Sequence, residues 1–281
     1  MILEHEIPNG CRLYFGANAR KKRELEQTLA NFFYGNGFEE IVTPNFSYSG
    51  HQSIDDESQL IRINDEKNNQ VALRADSTLD VARIITKRLG RTTNHKKWFY
   101  IQPVFSYPTN ENYQIGCEWI EHTKISDIIN LTSEVLDTIE IKPLIQITNI
   151  NIPKLVSEEL NIDLALFKNG EIASLFSLEV EWLTTLLKVA SKEDLQNVKP
   201  LLPQSVQVEV QKLLDVACEV KYDNVALSPL YYSPMKYYDD IYFRVISDNY
   251  TIAKGGKYHS DDICSLGFAI YSDNLLKILE D

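Results

Sequence analysis

Asp76 and Glu118 are carboxylates able to pair with an ammonium group, and Gln114 carries a donor and an acceptor on one amide. Thr78 adds a hydroxyl beside Asp76, and Tyr238 and Tyr258 are flat walls of the kind that bury a small ring. These six side chains have the chemistry to hold a small zwitterion with a ring attached. The plainer alternative is that Asp76 caps a helix while Gln114 and Glu118 lie on a solvated strand face. Other candidates carry less. Gly255-Gly256, between Lys254 and Lys257, lacks the GxxxxGK[ST] spacing of a phosphate loop and precedes no helix, so it reads as a turn. The cations Arg83, Lys87, Arg88, Arg91, Lys96 and Lys97 read as a solvated helix and loop face before a docking surface, as does Arg20-Lys21-Lys22-Arg23. Cys11, Cys117, Cys218 and Cys264 lie far apart without a CxxC pair, and the five histidines are scattered. Neither a disulfide framework nor a metal site is expected, and no cofactor is called for.

The elements that must position these groups show in the periodicity. Leu25, Leu29, Phe32 and Phe33 recur at helical spacing between Ala17 and Gly35. Glu39 to Pro44 reads as a short strand, and residues 55–74 as a hairpin whose arms are Ile61-Arg62-Ile63 and Val71-Ala72-Leu73. A helix capped by Asp76, Ser77 or Thr78 follows. Trp98 to Tyr107, a polar turn over Pro108 to Asn112, and Tyr113 to Ile120 make a second hairpin. Ser126 to Thr138 reads as a helix and Pro143 to Thr148 as a strand. Residues 151–222 turn mainly helical, with Pro200 and Pro203 as breaks. Strand character returns through Ile241–Val245, Tyr250–Ala253 and Leu266–Ile270, and a helix from Asp273 to Leu279 closes the chain. Without regular βαβ alternation, this order predicts an α+β fold on a mostly antiparallel sheet flanked by helices. The expected division is a core of residues 1–150 and 223–281 with a small helical insertion at 151–222.

Five segments in this order resemble the catalytic core of histidyl-tRNA synthetase, a class II aminoacyl-tRNA synthetase. Gly37 to Pro44 is similar to motif 1, the dimer-forming strand with its proline. Leu73-Arg74-Ala75-Asp76-Ser77-Thr78 is similar to the loop that holds the substrate's α-amino group. Phe99 to Glu118 resembles motif 2. Met235-Lys236-Tyr237-Tyr238 with Ile241-Tyr242-Phe243 resembles a histidine-pocket segment. Ala253 to Tyr258, leading into Leu266 to Ile270, resembles the family's glycine-rich pocket loop and motif 3. The resemblance implies that Asp76, Thr78, Gln114, Glu118, Tyr238 and Tyr258 line a histidine-type pocket.

The departures point away from catalysis. Adenylation needs cations where charge builds on the α-phosphate. The motif 2 arginine is replaced by Ser106, and the long basic loop after it by Pro108-Thr109-Asn110-Glu111-Asn112, which has no cation. The arginine before the tyrosine pair is Ser233, and motif 3 runs into Tyr271-Ser272-Asp273-Asn274, again without one. A serine hydroxyl does not replace a bidentate guanidinium. Arg74 and Lys254 are the cations left to meet a ligand carboxylate. No anticodon-binding domain is expected after residue 281. This pattern resembles the family of ATP phosphoribosyltransferase regulatory subunits. The resemblance implies a non-catalytic protein, dimeric through motif 1, that joins a short-form catalytic subunit in a hetero-oligomer. It also implies a part in feedback inhibition by L-histidine at the first step of histidine biosynthesis. Two rival readings fit the same residues: an active histidyl-tRNA synthetase-like ligase with cations from other positions, and a stand-alone amino-acid-binding paralogue.

Bulk properties agree with a globular protein: 44% hydrophobic and 24% charged residues, with a formal net charge of −12. A nucleic-acid partner is not expected from so acidic a chain, because phosphate binding rests on a basic field. The start MILEHEIPNG lacks the pattern of a signal peptide, and no apolar run approaches a membrane span, so a cytoplasmic location is expected.

Overall fold

The computed structural model describes residues 6–51, 56–233, 237–260 and 262–280. It divides into two compact units, one of residues 1–122 and 260–281, the other of residues 123–259. Met235 and Lys236 of the pocket-like segment lie outside the described residues.

In the first unit, α1 (Gly16–Gly35) buries Leu25, Leu29 and Phe33 along one stripe. β1 (Glu39–Glu40) is shorter than the sequence suggests and pairs in parallel with β5 (Lys97–Ser106). β2 (Phe46–Tyr48), β3 (Arg62–Asn64) and β4 (Gln70–Leu73) form a small antiparallel sheet in the order β2-β4-β3, so the first predicted hairpin is present. α2 (Thr78–Arg83) runs on as a π-helical turn through Ile84–Arg88. β5 and β6 (Asn110–Ile120) make the long second hairpin. Its turn is tighter than expected, because Asn110, Glu111 and Asn112 already pair with Ser106, Phe105 and Val104.

The second unit contains α3 (Ile125–Thr138), β7 (Leu144–Asn149), α4 (Asn151–Leu160), α5 (Ala165–Lys168), α6 (Ile172–Phe176), α7 (Glu181–Leu186), α8 (Lys192–Val198) and α9 (Gln204–Glu219). Ser191 and Asp194 close a reciprocal capping box at the start of α8. β8 (Val225–Leu227), β9 (Tyr238–Ser247) and β10 (Tyr250–Ser260) follow. β9 pairs antiparallel with β7 and β10, while β8 pairs in parallel with β7. α9 packs on β7, α3 and α4. Gly255-Gly256 is not a turn: both glycines lie inside β10, opposite Phe243 and Tyr242. A Cβ on Gly256 would stand 2.8 Å from Tyr238 Cδ1 and 2.9 Å from Ile241 O, so the missing side chain is a packing requirement.

The chain returns to the first unit with β11 (Ile263–Tyr271), antiparallel to β6, and α10 (Ser272–Glu280). Strand alternation separates two faces of the β5-β6-β11 sheet. Phe99, Cys117 and Phe268 share one face, where Phe33 of α1 stacks on Phe99 at 5.2 Å and tilts against Phe268 at 6.2 Å. Trp98, Tyr100, Gln102, Gln114, Gly116, Glu118 and Gly267 share the other. Antiparallel pairings dominate and helices flank the strands, as the α+β expectation requires.

Candidate functional site

The polar face of β5 and β6 is the centre of the site in the first unit. Gln102 and Gln114 are directly opposite one another, and Trp98 is opposite Glu118. Neither amide nor carboxylate is solvated: Gln102 and Gln114 are 4% exposed and Glu118 is 0% exposed. The reading of Gln114 and Glu118 as a wet strand face therefore fails. Two glycines make room for this arrangement. A Cβ on Gly267 would fall 1.9 Å from Glu118 Oε2, and one on Gly116 2.4 Å from the Tyr100 hydroxyl. Tyr100 donates to Glu118 Oε1 at 3.3 Å in the space so opened. Burial raises the neighbouring Cys117 thiol well above its ordinary pKa, and the Glu118 charge adds to the effect.

Asp76 Oδ1 accepts from the backbone N–H of Thr78 at 3.0 Å, a local turn just ahead of α2, whose N-cap residue is Ser77 and makes no side-chain cap bond. Thr78 is buried, and α2 packs over β6 and β11. Ser77 Oγ is buried with no hydrogen-bond partner among the described residues. Gln114 Oε1 and Gln102 Nε2 share that property.

Arg74, proposed above as a cation for a ligand carboxylate, is otherwise engaged. Its guanidinium is 0% exposed. Nε and Nη2 donate to Pro103 O at 3.0 and 2.6 Å, and Nη2 also to Asn45 Oδ1 at 3.1 Å. Nη1 donates to Thr43 Oγ1 at 2.8 Å, Pro44 O at 2.9 Å and Thr43 O at 3.2 Å. Arg74 thus ties the motif 1 exit to β5. Desolvation lowers its pKa, and Asp80 and Tyr100 oppose that shift.

The segments that the sequence matches to phosphate-binding positions carry no arginine at Ser106, Ser233 or Tyr271 to Asn274. Ser106 ends β5 opposite Asn110. The tip beyond it, Tyr107 to Thr109, is fastened by the N-terminal segment: Thr109 Oγ1 donates to Asn9 O at 2.5 Å, Cys11 Sγ to Thr109 O at 3.2 Å, and Glu111 N to Gly10 O at 3.1 Å. At motif 3, Asp273 is 3% exposed and accepts from Tyr14 OH at 2.5 Å and Tyr113 N at 3.2 Å. Arg12 donates to the Asp273 carbonyl at 2.9 Å. Asp273 is thus a buried carboxyl-bearing residue in the motif 3-like segment, tied to Arg12, Tyr14 and Tyr113. Desolvation and the Asp273 carboxylate push the Tyr14 hydroxyl to a pKa of about 12.

Tyr238 and Tyr258 belong to the second unit, where they are opposed across β9 and β10. Both are buried, at 6% and 0% exposure. Their rings join a tyrosine cluster: Tyr237 to Tyr238 at 4.6 Å, Tyr238 to Tyr242 at 5.0 Å, and Tyr237 to Tyr258 at 6.2 Å. Ser233 is buried at 3% exposure. Across this unit's face, Arg244 donates to Gln146 and lies 4.1 Å over the Tyr231 ring.

Gln102 is the polar residue that sequence reading passed over. Its signal was a lone amide within the apolar run Trp98 to Phe105, in phase with Trp98 and Tyr100. Among the described residues no group of three His, Cys, Asp or Glu side chains is placed to hold a metal, and no helix is long and apolar enough to cross a membrane.

A family model described as Histidyl-tRNA synthetase matches residues 10–275. An ATP phosphoribosyltransferase regulatory subunit of Wolinella succinogenes is 43% identical over 99% of this chain and 96% of its own length. One from Helicobacter hepaticus is 40% identical over 99% of each. A crystal structure from Bacillus halodurans, described as an ATP phosphoribosyltransferase regulatory subunit/histidyl-tRNA synthetase, superposes with a TM-score of 0.86. It covers 99% of this chain and 84% of the other at 18% identity, which speaks for the class II synthetase-like fold.

Proposed function

This chain belongs to the family of ATP phosphoribosyltransferase regulatory subunits, and from that premise we propose that it is a non-catalytic, histidine-responsive subunit of ATP phosphoribosyltransferase. It works beside the short-form catalytic subunit at the first step of histidine biosynthesis, in the cytoplasm. The observation that carries the non-catalytic part is Asp273. Asp273, held by Tyr14 and Tyr113, stands with Ser106 and Ser233 at the matched positions, none of which carries a guanidinium for a nucleotide phosphate. Asp76, Thr78, Gln114 and Glu118 of the first unit serve to bind an amino acid without activating it. Residues 151–222 act as a helical insertion in the synthetase-like core. Exposed Val42, Phe46 and Tyr48, at 77%, 53% and 53%, favour self-association through the motif 1 region.

Mixing the full chain with the short-form catalytic subunit tests the assignment. Phosphoribosyl transfer is expected to rise, a larger species to appear in light scattering, and histidine to lower the gained activity. No change in activity and mass would remove the regulatory reading. Robust ATP–pyrophosphate exchange with histidine would remove the non-catalytic one.

A further inference from the structure

Gln102 Nε2 and Gln114 Oε1 are a buried donor and a buried acceptor on opposed residues of one sheet face, and no described residue completes either. Burial without a partner costs a polar group its hydration and returns nothing, so native structures rarely tolerate it. Two such atoms of opposite sense, side by side, match a ligand that brings one acceptor and one donor.

The Gln102 amide is not free to flip. Thr43 N–H, which is a donor only, points at Gln102 Oε1 at 3.3 Å, and the Thr43 hydroxyl lies 3.0 Å from the same oxygen. That hydroxyl in turn accepts from Arg74 Nη1 at 2.8 Å. Since its oxygen receives the guanidinium proton, its own hydrogen is directed to Gln102. The sequence Arg74 → Thr43 → Gln102 is therefore a polarised chain of hydrogen bonds, and each link strengthens the next as a donor. It ends at Gln102 Nε2 as an N–H with enhanced positive character. The buried charge of Arg74 reaches the face of β5 through two neutral side chains, without contact between the guanidinium and any ligand.

We propose that Gln102 is the carboxylate-holding residue for a free α-amino acid bound on this face, with its Nε2 donating to the ligand carboxylate beside Gln114. The proposal rests on the reading of this face as an amino-acid pocket and supplies what that reading lacks, a partner for the carboxylate where the matched arginines are serines. Charge sorts the orientation. The relay from Arg74 favours the carboxylate at Gln102. A neutral amide grips a carboxylate more weakly than a guanidinium does, which suits a reversible sensor over an enzyme that must hold its substrate for reaction.

The test is calorimetric titration of the full chain and of Gln102→Glu with L-histidine and with histidinol, whose carboxylate is replaced by a hydroxymethyl group. Gln102→Glu keeps an oxygen for Thr43 and replaces the donor Nε2 by a second oxygen that repels the ligand carboxylate. The wild type is expected to prefer histidine by about tenfold or more, and Gln102→Glu to lose at least about tenfold for histidine while binding histidinol within about twofold of wild type. A wild-type chain that binds both ligands equally, or a folded Gln102→Glu with an unchanged histidine-to-histidinol ratio, would overturn the subsite and leave the pocket standing. A water filling the gap gives that result. If the wild type binds neither ligand, the amino-acid pocket falls and the subsite with it. Should Gln102→Glu fail to fold, the wild-type ratio alone decides.

Discussion

Arg74 separates the demands of folding from those of ligand binding. Its donors satisfy carbonyls of Thr43, Pro44 and Pro103 that no other described side chain serves. Replacing it with leucine would strand those acceptors in a dry site, at a cost of about 3–5 kcal/mol. Arg74→Lys keeps the charge but not the planar fork, and about 2–3 kcal/mol is expected to be lost. Urea unfolding midpoints measure both, and a shift below about 1 kcal/mol for Arg74→Leu would mean that the segment holds without the guanidinium. The sequence could not reveal this role, because Arg74 and its partners lie about thirty positions apart in the chain. Asp76, Gln114 and Glu118 stand out in the sequence as candidates because residue type and local motif coincide. What was not legible is that the sheet would bury Gln114 and Glu118, or that Gln102 would join them.

At the scale of elements, the N-terminal segment acts as a strap over the β5–β6 tip and the start of α10. Tyr14 is its anchor on Asp273. The Tyr14 pKa rises to about 12 from an unfolded value near 10, since desolvation and the adjacent carboxylate disfavour the phenolate. A raised pKa means that the contact stabilises fully below pH 10 and that its contribution is lost as pH climbs from 10 to 12. Tyr14→Phe should therefore unfold at lower urea than wild type at pH 9, with the gap closing by pH 12. A gap that stays constant over that range would place the contribution of Tyr14 in ring packing. Periodicity made most elements readable, α1, α3, α10 and the long hairpin among them. It failed at Gly255-Gly256, where the need for glycine comes from the Tyr238 ring on the neighbouring strand and not from a change of chain direction. It also lengthened β1: only Glu39 and Glu40 pair with β5 before Ile41 N makes a last bond to Phe99 O at 2.9 Å.

At the scale of the whole molecule the net charge of −12 works together with the lost cations. A synthetase must draw in two polyanions, ATP and tRNA, and the affinity for tRNA comes largely from counterions released by basic side chains. Here the hairpin that would meet an acceptor stem ends in Tyr107-Pro108-Thr109, tied down by Asn9, Gly10 and Cys11, with Glu111 at its edge. Arg83, Lys87, Arg88, Arg91, Lys96 and Lys97 are the densest cations, but Arg83 pairs with Asp80 and Lys96 with Glu121. Those pairs reduce the net field of the stretch to a few charges, and a Debye length near 8 Å at physiological salt confines it further. Filter binding with unfractionated tRNA should therefore show no retention in the micromolar range at about 0.15 M salt, with only weak retention as salt is lowered. Submicromolar binding with a steep salt slope would mean that this basic stretch, and not the sheet face, carries a nucleic-acid function, and charge reversal at Arg88 and Arg91 would then abolish it.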